Sequence, residues 1–380
     1  MKPDVAVVGA GDVGSAVLRH LAASGEIGGL WALDVDEERA RRAAADAAAV
    51  ALYTGTPPRV GSRDVDVLTP GALAGALREI APDAVVQAAT LQSWWVLTQL
   101  PEDLWRRLEV GARFGPWLPF HLVPTRNVMQ AVRELDAATP VVNIAFPDAV
   151  NAVLAASGLA PTCGAGNSDL LRPGIRLAAA ERLGVAPERV DLEWIGHHYH
   201  VVYYWMGLDR VEELDPATYH LRVLLDGEDV TERIDVRAIL AAAGRDLPPG
   251  RLIGERTAAS AAKNVRLLLR SGPTDDHTPA PNGLVGGYDV RFERGAVHVS
   301  LPRGVDEPTA RQIAERAQRG DGIESIAAGG VVRFTREATD AMREILGYEC
   351  TELRPEEADD RVVELRRRLS ELVARGAAAG

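Results

Sequence analysis

The chain has 380 residues, 47% of them hydrophobic and 25% charged, with a formal net charge of −12. These values fit a soluble globular protein with one large or two smaller domains, and the negative charge argues against nucleic acid or an anionic membrane as partner. Two cysteines, Cys163 and Cys350, give no disulfide framework and fit a reducing cytoplasm; no signal-peptide pattern opens the chain, and no run reaches the roughly 18 apolar residues of a membrane span.

Asp4–Val8 is a short apolar run of strand type. Gly9-Ala10-Gly11-Asp12-Val13-Gly14 follows at once, and Ser15–Ala23 has helical spacing with Val17, Leu18 and Leu21 inward. Strand, GxGxxG and helix in this order form a dinucleotide fingerprint. Gly9 permits the tight turn, Gly11 lets a pyrophosphate approach the backbone, and Gly14 lets helix and strand pack closely. The helix N-terminus offers free N–H groups to the phosphates. A second strand, Gly29–Leu33, ends at Asp34, twenty residues after Gly14. A carboxylate there accepts ribose hydroxyls and repels a 2′-phosphate, which predicts NAD rather than NADP.

Asp36–Leu52 is an Ala/Arg/Glu-rich helix, Thr54–Arg63 a Pro/Gly loop and Val65–Leu68 a third strand. Pro70–Ile80 is a helix and Asp83–Ala89 a fourth strand. The alternation predicts a parallel sheet with ligands beyond the carboxyl ends of its strands, so the cofactor passes Ala89 and Thr90. Leu91–Phe120 carries Trp94, Trp95, Trp105 and Trp117, four of the seven tryptophans, together with Arg113. It reads either as a loop closing over substrate, with Arg113 as a contact, or as an aromatic satellite core or subunit interface. Phe120–Leu135 is a helix, and a fifth strand ends near Asn143. Asn143 either bridges substrate and cofactor or caps the next segment.

After a helix over 147–157 and the apolar Leu159–Thr162, the chain reaches Cys163 and Asn167-Ser-Asp169-Leu-Leu-Arg172. Asp169 and Arg172, three residues apart at the start of an apparent helix, share one face. The strand Val190–Ile195 then delivers His197, His198 and His200. Base, carboxylate and guanidinium in one helix–strand unit make a candidate active site. Imidazole titrates near neutral pH, and the arginine fork suits a carboxylate. The three histidines with Cys163 also form a candidate metal set, although Cys163 serves equally as a small buried residue. Beyond them, Tyr219–Val230 and Val285–Leu301 alternate as antiparallel strands, and Asp235–Gly244 and Arg256–Arg270 are helical. Lys263 and Asn264 are placed where they could reach a ligand. Gly272–Asn282 is a Pro-rich loop, and 335–346 and 355–374 are charged amphipathic helices.

The fingerprint, Asp34, Asn143, Asn167-x-Asp169-x-x-Arg172 and Ile195-Gly-x-His198 occur in the order and approximate spacing of the lactate/malate dehydrogenase superfamily, which the chain resembles over most of residues 4–350. Glu181–Arg189, Gly283–Gly287, Val297–Pro302 and Gly320-Asp-Gly-Ile-Glu324 are similar to later parts of that family. The resemblance implies an α/β fold: an NAD-binding Rossmann domain with a doubly wound parallel sheet over residues 1–150, then an α+β substrate domain over 151–380. It implies a catalytic set of His198 as acid/base, Asp169 as its partner, Arg172 as carboxylate clamp and Asn143, with the cofactor held by Gly9–Gly14, Asp34, Ala89, Thr90 and Asn143. The activity implied is hydride transfer to or from a small polar hydroxyl or carbonyl compound, anionic or sugar-like, by a dimer or tetramer. The chain departs from the family in reading His197-His198-Tyr199-His200 where members have Glu-His-Gly-Asp-Ser, and in Pro173 after Arg172.

A secondary resemblance, to the family 4 glycosidases of the same superfold, rests on Cys163, His198 and Pro281-Asn282-Gly283. It implies NAD with a divalent metal such as manganese, a tyrosine base among Tyr199, Tyr203 and Tyr204, and transient oxidation followed by elimination. A third class, a cofactor-binding sensor, would not require the Asp169, Arg172 and His198 set.

Overall fold

The structure is a computed structural model and describes residues 2–55, 57–135, 138–205 and 214–379. The apolar runs form strands β1 (Asp4–Val8), β2 (Gly29–Asp34), β4 (Ala84–Gln87) and β5 (Val141–Asn143), with the edge strand β3 (Arg59–Asp64) and a short β6 (Cys163–Gly164). They pair in parallel in the order β3-β2-β1-β4-β5-β6. This is the doubly wound order, with its switch point between β1 and β4, where α/β sheets take their ligands. Helices α1 (Asp12–Ala23), α2 (Glu37–Thr54), α3 (Ala72–Ile80), α4 (Glu102–Arg107), α5 (Pro119–Arg133) and α6 (Pro147–Ala155) occupy the connections.

The third strand is Arg59–Asp64, not Val65–Leu68, and runs in register with β2 from Arg59 opposite Gly29 to Asp64 opposite Asp34. An edge strand needs no apolar run, and this one is half exposed, so its polar sequence reads as loop. Gly61 lies flat against Trp31: a Cβ there would sit 2.3 Å from the indole. The sheet also passes residue 150, because β6 pairs with β5.

The second half begins with α7 (Arg172–Leu183), β7 (Val190–Ile195) and α8 (His198–Trp205). Then come β8 (His220–Leu225), β9 (Glu228–Asp229), α9 (Val236–Arg245) and α10 (Ile253–Leu269). Next are β10 (Thr274–Pro279), β11 (Gly287–Glu293), β12 (Ala296–Val299) and α11 (Glu307–Gln318). The chain closes with β13 (Ile323–Ile326), β14 (Val332–Phe334), α12 (Arg336–Leu346), β15 (Glu352–Leu353) and α13 (Ala358–Ala379). Three small antiparallel sheets result, β7-β8-β9, β10-β11-β12 and β13-β14-β15. The stretch expected as a loop at 272–282 contains β10, whose pairing with β11 buries His277, Thr278 and Pro279. One core joins the sheet residues Val5, Val86 and Val142 to Ala258, Leu268, Phe292 and Ala314 of the later elements. Among the described residues no helix is long and apolar enough to cross a membrane.

Candidate active site

The glycine loop forms as the fingerprint requires. Gly9 has φ +93°, and a Cβ on it would meet the Ala89 nitrogen at 2.5 Å; one on Gly14 would meet the Gly9 carbonyl at 1.8 Å. Gly11, at the N-terminus of α1, has open space beside it. Asp34 is buried at the end of β2 and accepts from the Ala10 N–H at 2.7 Å, the Asp36 N–H at 2.9 Å and Arg39 at 3.1 Å. A closed cradle below, open space at Gly11 and a carboxylate at the next strand end fit a dinucleotide. Gly9–Gly14, Asp34, Ala89 and Thr90 all line one cavity of about 830 Å³.

The same cavity reaches His198. Its ring is 14% exposed, and Nδ1 lies 2.9 and 3.0 Å from the two carboxylate oxygens of Asp321, which is fully buried. The His198 N–H donates to Asp148 at 2.7 Å. Burial alone would depress the His198 pKa, but the charge and hydrogen bond of Asp321, aided by Asp148, outweigh it and hold the pKa above the usual histidine value. Nε2 has no partner among the described residues, so Asp321 fixes the ring with that nitrogen left for a ligand. Phe114 and Phe146 meet the ring edge-on, with centroids at 4.5 and 5.4 Å. A second cavity histidine, His121, is 3.3 Å from Thr90 through Nδ1, and burial together with the His198 charge pushes its pKa down to about 4. The two imidazoles are thus shifted in opposite directions.

Asp169 is not the partner of His198. Residues Asn167–Leu170 form a separate 3₁₀ turn, and α7 starts only at Arg172, with Pro173 in its first turn. In such a turn residues three apart eclipse. Asn167 and Leu170 consequently face the cavity, while Asp169 and Arg172 share the opposite side. There Asp169 binds Lys263 Nζ at 3.0 Å and Ser260 Oγ at 2.5 Å, with His277 at 3.4 Å. Burial would raise its pKa, yet Lys263, His277 and Ser260 together keep it well below the usual carboxylate range. Arg172 faces Asp289 at 3.5 Å, Asp191 at 3.5 Å and Asp276 at 3.8 Å, so the expected carboxylate clamp is an internal ion cluster outside the cavity. The anionic substrate expected from Arg172 loses that anchor.

Asn143 is also turned inward. Its amide donates to Asn151 at 2.9 Å and the Ala145 carbonyl at 3.2 Å, and its oxygen accepts from the Ala145 N–H at 2.9 Å. It caps the turn that places Ile144, Ala145 and Phe146 on the cavity wall instead of reaching in itself. Lys263 is held in the Asp169 cluster, and Asn264 donates to the Gly164 carbonyl at 2.8 Å. Cys163 lies in the core beneath the sheet end, outside the cavity, and burial pushes its thiol up to about 12. His197 and His200 are buried, and the His197 N–H donates to His200 Nδ1 at 2.8 Å. Cys163 and the histidines thus do not gather, and among the described residues no group of three or more His, Cys, Asp or Glu side chains is arranged to hold a metal.

Trp94, Trp105, Phe114 and Trp117 pack into one aromatic cluster, with Trp94 stacked on Phe114 at 3.9 Å. Both readings of the segment meet here, since Trp94 and Phe114 belong to a satellite core and also line the cavity. Sequence reasoning missed Asp321, His121 and Phe146. The only signal for Asp321 was an aspartate between two glycines: Gly320 lies under the Tyr199 ring and Gly322 takes φ +82°.

No family model and no curated protein matches the sequence. Solved structures do match. Malate dehydrogenase from Cryptosporidium parvum superposes with a TM-score of 0.59 at 15% identity, over 84% of this chain and 98% of that one. Lactate dehydrogenase from Eimeria maxima, solved with NADH and oxamate, gives 0.56 at 17% identity, over 82% and 91%. Malate dehydrogenase from Picrophilus torridus gives 0.56 at 15% identity, over 84% and 97%. At these identities the likeness is one of fold: this chain has the Rossmann-based architecture of the lactate and malate dehydrogenases along most of its length.

Proposed function

We propose that the protein is an NAD-dependent dehydrogenase acting on a hydroxyl or carbonyl compound, with His198 as acid/base. The observation that carries this is one cavity shared by the glycine cradle at Gly9–Gly14 and an imidazole buttressed by Asp321. Gly9–Gly14 and the start of α1 would hold the pyrophosphate, Asp34 the ribose, and Ala89 and Thr90 the next stretch of NAD. Bound there, NAD⁺ would be the two-electron oxidant, so that alcohol and NAD⁺ together would give the carbonyl compound, NADH and one proton.

His198 accepts the hydroxyl proton through Nε2 in oxidation and returns it in reduction. Asp321 orients the ring and stabilises its protonated form. Phe114 and Phe146 keep water from the ring. The likeness of fold to lactate and malate dehydrogenases supports the reading, and association into a dimer or tetramer belongs to it by resemblance alone. The metal-assisted glycosidase alternative is not favoured, because it requires Cys163 and a histidine in one site.

His198→Asn tests the assignment. NADH should still bind, measured by its fluorescence, while turnover of any accepted substrate falls by about 100-fold or more. Unchanged turnover would remove His198 from the mechanism.

A further inference from the structure

The substrate end of the cavity is apolar. Phe114 and Phe146 flank His198, Trp94 stacks behind Phe114, and Leu170, Val201 and Val202 complete the wall. Among the described residues the arginines lining the cavity are Arg39 and Arg251, and both are paired: Arg39 with Asp34 and Asp36 at 3.1 Å, Arg251 with Asp12 at 3.1 Å. Arg172, the expected clamp, is turned into its cluster with Asp191, Asp276 and Asp289. His121 is neutral at physiological pH, and Arg113, next to Phe114 in the chain, is not part of the cavity lining. A carboxylate placed here would be stripped of water without a partner of its own, which is costly. An aryl group would instead pack against Phe114 and Phe146, with Trp94 backing Phe114.

Asn167 supplies the polar contact that orients such a substrate. It lines the cavity, is 8% exposed, and its Nδ2 is buried without a partner. It also adopts φ +48°, a left-handed backbone that a non-glycine residue occupies at a cost. An amide donor held this way on the cavity that also holds the His198 imidazole suits a carbonyl or hydroxyl oxygen. Apolar walls with a few placed polar groups are the usual design of a small-molecule site.

Resting on the dehydrogenase reading above, we propose that the substrate is a neutral secondary alcohol, or its ketone, bearing an aryl group beside the reacting carbon. The ring sits among Phe114, Phe146 and Trp94, and the oxygen between His198 and Asn167 Nδ2. In oxidation the carbinol C–H bond breaks and its hydride passes to NAD⁺, the O–H proton passes to His198, and the C=O bond forms.

Three probes separate the contributions: acetophenone, phenylglyoxylate, which adds a carboxylate to the same ring, and pyruvate, which keeps the carboxylate and lacks the ring. NADH consumption is followed for each, and binding to the NADH-saturated protein is measured by calorimetry. The expected kcat/KM for acetophenone exceeds that for either acid by about 100-fold. Phe114→Ala should raise its KM about tenfold, and Phe114→Leu, which keeps an apolar core residue, by a smaller factor. A preference for pyruvate or phenylglyoxylate overturns the substrate class and leaves the dehydrogenase reading standing. Acetophenone binding that weakens in Phe114→Leu, without NADH consumption from any probe, upholds the aryl site and overturns hydride transfer. Absence of acetophenone binding overturns the proposal.

Discussion

His198 Nδ1 and the Asp321 carboxylate, 123 residues apart in sequence, lie within hydrogen-bond distance at 2.9 Å. The histidine was legible, because a strand ending in Ile195-Gly-x-His198 has a motif around it. Its partner was not, because a carboxylate 0% exposed and reached through a Gly-Asp-Gly turn is set by tertiary packing alone. The motif aspartate, Asp169, was assigned by order along the chain, and the turn that rotates it away is too local for spacing to reveal. Replacement of Asp321 distinguishes the two carboxylates. Reduction requires protonated His198, so its rate should fall as pH rises through the raised His198 pKa rather than near 6.5. In Asp321→Asn burial is left to act without its main opposing charge, and this alkaline limb should move to lower pH, with kcat down about 100-fold. By linkage, the raised pKa also means that the pair stabilises the fold below pH 6.5 and that this contribution is lost as pH rises through the folded-state value. A pH–rate profile of the variant that keeps the wild-type limb would assign the role elsewhere; the matching change in Asp169→Asn would restore the motif assignment.

Elements were legible where burial forces a pattern. β1, β2, β4 and β5 are apolar because helices cover both sheet faces, and α1 shows its inward residues at helical spacing. β3 and β10 were not: one is a polar edge, and the other is rich in Thr, Asp and Pro and is fixed by its pairing with β11. The glycine loop combines local and tertiary demands, since Gly14 must pass the Gly9 carbonyl so closely that even a methyl group has no place. Gly14→Ala should therefore push α1 off β1, lowering stability by about 2 kcal/mol or more and abolishing detectable NADH binding. Gly11→Ala, with nothing within 4 Å of the new methyl, is the control: it should fold as wild type and lose affinity only through crowding of the pyrophosphate. Denaturant melts and NADH titrations of the two variants read both effects. Equal stability loss in both would mean that the close approach at Gly14 is not what holds the turn.

At the scale of the whole molecule, residues 1–150 and 151–380 do not pack as independent bodies. The sheet takes its sixth strand from Cys163–Gly164, and Ala258, Val265 and Leu268 of α10 share a core with Val17 and Leu21 of α1. On the other side, Phe120 and Val150 share a core with Phe334, Leu353 and Leu369 near the C-terminus. The candidate site follows the same division of labour, since the cradle comes from the first residues, the imidazole from α8 and its carboxylate from the turn before β13. Separating the halves would expose both cores, so calorimetry should show a single unfolding transition whose van't Hoff and measured enthalpies agree. NADH at 100 times its dissociation constant adds about 2.7 kcal/mol to the native state. Spread over the unfolding entropy of a chain this long, that raises the one midpoint by about 3 °C. Two transitions, with only the first moved by NADH, would instead mean that the cofactor domain melts alone and that the shared cores contribute little to cooperativity.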